Sequence, residues 1–160
     1  MKDTFTQFIR LGIAILLLAM VLYWVDATWY APDRLPTCVQ ANLPANRICL
    51  ETVHNQYNNK AVWIDARSAS DYEIHRLILS DAPVYPIRKG PDMAHQIDAA
   101  IASMLEAADT GACIVIFCKG DCTASEEIAA ELRNLGIIEA PIYTLEGGWD
   151  ALKADGMLLP

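Results

Sequence analysis

Residues Ala112 to Asn134 read ACIVIFCKGDCTASEEIAAELRN, and three segments follow one another in them. Cys113 to Phe117 is a short apolar run rich in β-branched side chains, which is how a strand buried on both faces reads. Cys118 to Cys122 is a tight loop with one glycine and a thiol at each end. Thr123 opens a helix: with Glu126 three residues on, it matches the capping-box pattern, in which hydroxyl and carboxylate satisfy orphan amides reciprocally. Ile128, Leu132 and Leu135 form the apolar stripe of that helix, Glu126, Glu127 and Glu131 its solvated face, and Gly136 its stop. The order strand, loop, helix places Cys118 at a strand end with a helix N-terminus behind it. Backbone amides and the positive end of the helix dipole, aimed at the sulfur, would lower its pKa and attract anions. Cys118 is therefore a candidate nucleophile, with a structural cysteine at a strand end as the plainer alternative.

Outward from this stretch the same alternation recurs. Ile48 to Val53 opens as a short strand with a helical turn through Tyr57, and Asn58-Asn59 is a turn. Ala61 to Asp65 (AVWID) is a strand, and a short helix starts in Ser68 to Tyr72 with Ser or Asp as its cap. One strand is expected among the apolar runs Leu77–Leu79 and Val84–Ile87. Pro91 to Ala108 is a helix, with Met93, Ile97, Ile101, Met104, Leu105 and Ala108 at helical spacing. Ala140 to Leu145 (APIYTL) is a strand, Glu146-Gly147-Gly148-Trp149 a sharp turn, and Asp150 to Ala154 a last helix. Strands alternating with helices predict an α/β fold with a central, mostly parallel sheet flanked by helices. Ligands of such sheets bind beyond the carboxyl ends of the strands, where Cys118 falls.

The start of the chain has a different character. Leu11 to Val25 (LGIAILLLAMVLYWV) carries no charge. Extended by its flanks, it approaches the roughly 20 apolar residues that span a bilayer. Tyr23, Trp24, Trp29 and Tyr30 gather at one end as an aromatic belt would. Lys2 and Arg10 lie on the amino-terminal side, which puts the N-terminus in the cytoplasm and the rest outside. Residues 1–30 are thus read as one N-terminal transmembrane helix, a single-pass anchor that leaves the C-terminal domain on the extracytoplasmic, periplasmic side. A cleaved signal peptide is the rival reading, with Val25-Asp26-Ala27 as its cleavage site. Residues 31–46, with Pro32, Pro36 and Pro44, read as a linker or extended arm, and 47–160 as the domain. Cys38 and Cys49 sit near the two ends of that arm. In an oxidising compartment they could pair; they are otherwise two unrelated thiols.

The chain has 160 residues and a formal net charge of −8, without clusters of basic side chains, so nucleic acid is not an expected partner. Five cysteines are too few for a disulfide scaffold, and their spacing matches no zinc-binding pair of pairs, so no metal is expected. His54 and His95 lack partners at ligand spacing, and Cys113, inside a strand, reads as a small buried hydrophobe.

Three blocks in this order resemble the rhodanese-like, or sulfurtransferase, family. WIDARSASDYEIH carries Asp65, Arg67, Asp71, Tyr72 and His75 where the family has its strand, Asp-x-Arg and acidic-aromatic pair followed by a histidine. VIFCKGDCTAS places Cys118 at the family's active-site cysteine, and LEGGWDALKADG places Gly147 and Gly148 at its glycine pair. The resemblance implies a rhodanese-like sandwich and a cofactor-free reaction. Cys118 would take a sulfane sulfur from a small sulfur-donor anion, or from a protein or low-molecular-weight persulfide, and pass it to a thiol or other nucleophile. Backbone amides of Lys119, Gly120, Asp121, Cys122 and Thr123 would cradle the anionic sulfur, with Lys119 as the nearby positive charge. Asp65 and Arg67 are read as structural, holding the strand-to-helix turn, and Trp149 as a packing residue.

Two departures from the family pattern stand out. Thr123 occupies the place where the loop usually carries Arg or Lys, which weakens binding of a dianionic donor such as thiosulfate. It also argues against phosphatase chemistry, since a phosphoryl group needs a bidentate cation. Cys122 adds a second thiol, either a resolving thiol for Cys118 or a small residue filling the loop floor. Two further readings therefore stand beside sulfur transfer: a thiol-disulfide module of Cys118 and Cys122, and a non-catalytic binding domain.

Overall fold

The structure, a computed structural model, describes residues 12–21, 37–74, 82–120 and 122–157. The chain divides into two compact units, Met1–Arg34 and Leu35–Pro160. In the first, residues 12–21 are helical, with Ile13, Leu16, Leu18 and Met20 exposed. Among the described residues no helix is long and apolar enough to cross a membrane. The rest of the expected span lies outside the described residues, as do Leu77–Leu79, His75 and Asp121.

Among the described residues, the second unit is built on five strands: β1 (Arg47–Ile48), β2 (Ala61–Asp65), β3 (Val84–Pro86), β4 (Cys113–Phe117) and β5 (Ile142–Leu145). Their order across the sheet is β1-β5-β4-β2-β3, and every pairing is parallel. The α-helices described connect and flank them: α1 (Leu50–Tyr57), α2 (Ala69–Ile74), α3 (Met93–Thr110), α4 (Ala124–Asn134) and α5 (Gly148–Ala154).

The apolar runs of β2 and β4 serve two cores because successive side chains point to opposite faces. Val62, Ile64, Ile114 and Ile116 pack with Met104 of α3 and with Ile128 and Leu132 of α4. Ala61, Trp63, Cys113, Val115 and Phe117 pack on the other face with Val53 of α1 and with Trp149 and Leu152 of α5. All five residues of β4 are fully buried. Each large side chain there contributes about 1.5–3 kcal/mol through removal from water.

The helices correct several details of the sequence reading. Helix α3 meets the sheet along Ala100, Met104 and Ala107, so Leu105 and Ala108, rotated off that line, face solvent. Helix α4 buries Ser125, Ile128, Ala129 and Leu132, whereas Leu135 lies past its last turn and is exposed. The capping box of Thr123 and Glu126 is not formed. Thr123 has helical backbone angles and makes no side-chain cap; its hydroxyl donates weakly to Glu127 Oε1 at 3.4 Å, while the Glu126 carboxylate is taken by Arg47. Ser68 does cap α2, its Oγ accepting the Asp71 amide at 3.1 Å.

Residues 37–46 are tied to the domain. A disulfide joins Cys38 to Cys49, with their Cα atoms 5.7 Å apart. Gln40 bridges the same gap, donating to the Arg47 carbonyl at 2.9 Å and accepting from the Cys49 amide at 2.8 Å. The arm thereby holds Arg47 at the edge of β1, beside β5.

Candidate active site

Cys118 is the first residue past β4, at the carboxyl edge of the sheet, and it is only 3% exposed. The loop that follows curls back over it. Cys118 Sγ donates to the Cys122 carbonyl at 3.0 Å, and Ser125 Oγ lies 3.5 Å away. Gly120 makes the curl possible with φ +53°, a region that costs other residues strain.

The opposite wall comes from the Gly147-Gly148 turn between β5 and α5. The Trp149 amide donates to the Cys118 carbonyl at 2.8 Å. Gly148 adopts φ +49°, and a Cβ there would overlap the Cys118 carbonyl oxygen. The glycine pair is thus a site of close backbone approach, and it fixes where the cysteine sits.

Beneath this contact stands a buried pillar. Asp65, ending β2, accepts the Arg67 amide at 3.0 Å and pairs with its guanidinium, Nη2 to Oδ2 being 2.6 Å. The guanidinium lies 3.5 Å from the centroid of the Trp149 ring, which stacks on Phe117 of β4. Asp65 and Arg67 are almost wholly buried, so they brace the wall and do not face the cavity.

Between the two walls lies a cavity of about 370 Å³. Cys118, Gly120, Cys122, Thr123, Ser125 and Glu126 line it from the cysteine loop and α4, and Arg47, Glu146, Gly148 and Asp150 from β1, the Gly147-Gly148 turn and the start of α5. A wider depression of about 630 Å³ near Asn58–Val62 and Ala112 is at the amino ends of β2 and β4, and no cysteine is among the described residues that line it.

The electrostatics differ from the sequence expectation at two points. First, the Cys118 pKa is raised, not lowered: burial dominates, the neighbouring Cys122 adds to it, and hydrogen bonding from Ser125 offsets part. The helix N-terminus reaches the sulfur through Ser125, and that does not compensate for exclusion of water. Second, Lys119 is not the cation of the site. Its side chain is two-thirds exposed, lies 3.7 Å from Asp71, and does not line the cavity. The guanidinium that does line it is Arg47, held between Glu146 at 3.1 Å and Glu126.

Arg47, Ser125, Glu146 and Asp150 escaped the sequence reading, and Glu126 was assigned to the solvated face. Ser125 was open to discovery, since the second position of a helix behind the cysteine loop points its amide and hydroxyl at the loop. Arg47 carried no local signal, because only the pairing of β1 with β5 brings it to Cys118. Of the other cysteines, Cys113 is buried and its thiol pushed up to about 12, while Cys122 is exposed at the cavity. Among the described residues no group of His, Cys, Asp or Glu is arranged to hold a metal ion.

A parallel sheet packed on both faces, with a cysteine loop at its carboxyl edge, defines an α/β protein with a candidate cysteine site. The family model of the rhodanese-like domain matches residues 50–155, and the chain belongs to that family. No curated protein and no solved structure matches it significantly. The matched segment contains Cys118, Asp65, Arg67 and the glycine pair; Arg47 and both cysteines of the Cys38–Cys49 disulfide lie before it.

Proposed function

We propose that this protein is a sulfurtransferase that carries sulfane sulfur on Cys118 and works as a membrane-anchored domain facing the extracytoplasmic space. The observation that carries the reading is the Cys118 thiol at the base of a cavity walled by its own loop and by Gly148.

The step is a displacement at sulfur. The Cys118 thiol first loses its proton; the thiolate then attacks the outer sulfur of a donor R–S–SH. A Cys118 S–S bond forms, the donor S–S bond breaks, and the electron pair leaves with R–S⁻. The reverse kind of attack, by an acceptor thiolate on the outer sulfur, delivers the sulfur and restores the Cys118 thiolate. No net oxidant is needed. Ser125 is placed to donate to the sulfur once it is anionic, from its hydroxyl and its amide. The Cys122 carbonyl accepts the thiol proton in the resting state and offers nothing to the thiolate, so the loop must shift on ionisation.

The charge-free stretch from Leu11 to Val25 and its basic flank support the anchor and its orientation. The Cys38–Cys49 disulfide supports an oxidising compartment. The test is to incubate the full chain in detergent with thiosulfate, polysulfide or a small persulfide and read the mass of each cysteine peptide. One added sulfur on Cys118, lost in Cys118→Ser, is the expected result. No adduct on Cys118 with any donor sinks the proposal.

A second reading has one observation in its favour: Cys122 is exposed on the same cavity and next to Cys118. It would make Cys122 a resolving thiol, whose thiolate attacks the inner sulfur of the Cys118 persulfide, closes a Cys118–Cys122 disulfide and expels hydrosulfide.

A further inference from the structure

The charges that face Cys118 are few and unbalanced. Arg47 and three carboxylates, Glu126, Glu146 and Asp150, line one cavity, and Arg47 pairs with the first two. Its guanidinium is already engaged at both ends, Nη1 by Glu146 at 3.1 Å and Nη2 by Glu126. Such a fork has little left for an incoming anion, because bidentate recognition needs both N–H edges free. Lys119 turns away to Asp71, and Thr123 brings no charge. Among the described residues, a dianion entering this cavity meets three carboxylates and a single guanidinium that is already paired.

We infer that Glu126 and Glu146, by occupying Arg47 from either side, set the donor specificity of Cys118 against anionic donors and in favour of the persulfide of a small aminothiol. The inference rests on the sulfurtransferase reading and names its substrate class. An ammonium group a few bonds from the sulfane sulfur would sit among carboxylates that repel thiosulfate. The bond changes are those already given: Cys118–S⁻ and R–S–SH yield Cys118–S–SH and R–S⁻. With thiosulfate the same attack would release sulfite, and its two charges would have to enter beside Glu126 and Glu146. Arg47, in β1, directly follows the arm pinned by the Cys38–Cys49 disulfide and precedes the family-matched segment, whereas Glu126 and Glu146 lie within it.

The experiment compares three donors on the full-length protein: 2-aminoethyl hydropersulfide, its carboxymethyl analogue and thiosulfate. The two persulfides share one reaction and differ in charge. Sulfur loading on Cys118 is followed by mass spectrometry at low and high salt. Loading from the aminoethyl donor should be faster than from either anion by about tenfold or more at low salt, and added salt should narrow that gap. In Glu126→Gln/Glu146→Gln the gap should close, chiefly through faster loading from thiosulfate as Arg47 is freed. Because the salt series needs no variant, a misfolded double mutant does not rescue the idea. Equal loading of wild type by all three donors, or a gap that salt leaves unchanged, overturns the specificity proposal alone. Failure of every donor to load Cys118 overturns the sulfurtransferase reading and the specificity with it.

Discussion

Gly148 presses its backbone against the carbonyl oxygen of Cys118, leaving no room for a Cβ, and the next amide, of Trp149, hydrogen-bonds that same oxygen at 2.8 Å. The reactive cysteine is therefore positioned from the far side of the sheet edge, by a turn that only glycine can make. Gly148→Ala combines strain at φ +49° with overlap against main chain that cannot step aside. Left-handed strain costs about 1–2 kcal/mol and overpacking about 1–3 kcal/mol. Gly111→Ala, at φ +67° with open space around it, should show the strain alone. Denaturant unfolding of both variants, with sulfur loading of Cys118 alongside, checks this. Similar losses in both would mean that the contact with Cys118 matters little.

Asp65 and Arg67 form a buried ion pair under the same wall, the guanidinium also lying on Trp149. Removing one partner leaves the other charge buried without compensation, at a cost of about 3–5 kcal/mol. Asp65→Ala should therefore destabilise strongly. Asp65→Ala/Arg67→Met, which removes both charges, should recover much of the loss, since an apolar pair of similar volume can match a buried salt bridge. Unfolding curves of the two variants are the measurement. If the double variant is no more stable than the single, Arg67 contributes chiefly through Trp149 and not through its charge.

The parallel sheet was legible because β2 and β4 are unbroken apolar runs, and a sheet covered on both faces allows little else. The cysteine loop was legible for the same local reason: strand, glycine and helix follow each other within one stretch. What misled was local pattern without its tertiary competitor. Glu126 matches a capping box, yet Arg47 arrives from β1 and takes its carboxylate. A helix N-terminus promised a low pKa for Cys118, yet the loop and the Gly147-Gly148 turn close over the thiol and exclude water. Leu105 keeps helical spacing, yet Ala100 and Ala107 set the line of contact.

The raised pKa of Cys118 has a kinetic consequence. Burial favours the neutral thiol, so at any given pH a smaller fraction of Cys118 is thiolate than of an ordinary cysteine. Alkylation of Cys118 by iodoacetamide should rise with pH along a curve displaced to the alkaline side of one for a free thiol peptide. Peptide mapping separates this signal from that of Cys122. A midpoint at or below that of the free peptide would show that the helix N-terminus outweighs burial after all.

The Cys38–Cys49 bond closes a loop of sequence separation 11 and fixes the arm that presents Arg47. A loop of that size restricts the unfolded chain by about 3 kcal/mol in the chain-entropy picture. Cys38→Ser/Cys49→Ser should lower the denaturant midpoint accordingly. It should also loosen Arg47, whose carbonyl is held by Gln40 across the same gap, and so weaken discrimination among donors of different charge. If stability falls and discrimination does not, Gln40 and the β1–β5 pairing alone hold Arg47 in place.

Cys122 decides between two fates for a loaded Cys118. Its thiol is exposed on the cavity, and the Cys118 thiol already contacts its carbonyl. Attack by the Cys122 thiolate on the inner sulfur of the Cys118 persulfide forms a Cys118–Cys122 disulfide and expels hydrosulfide, and a dithiol reductant must then reopen the bond. Attack by an external acceptor on the outer sulfur instead passes the sulfur on and leaves both thiols free. The first route requires the loop through Gly120 to rearrange, since burial holds Cys118 while Cys122 faces solvent. Because the persulfide is stable only if the first route is slow, Cys122→Ser should lengthen the lifetime of loaded Cys118 if the pair resolves internally. Mass spectrometry of loaded protein over time, with sulfide trapped in solution, tells them apart. Unchanged lifetime in Cys122→Ser, with no internal disulfide in the wild type, would confine Cys122 to the floor of the loop and leave Cys118 as a single-cysteine carrier.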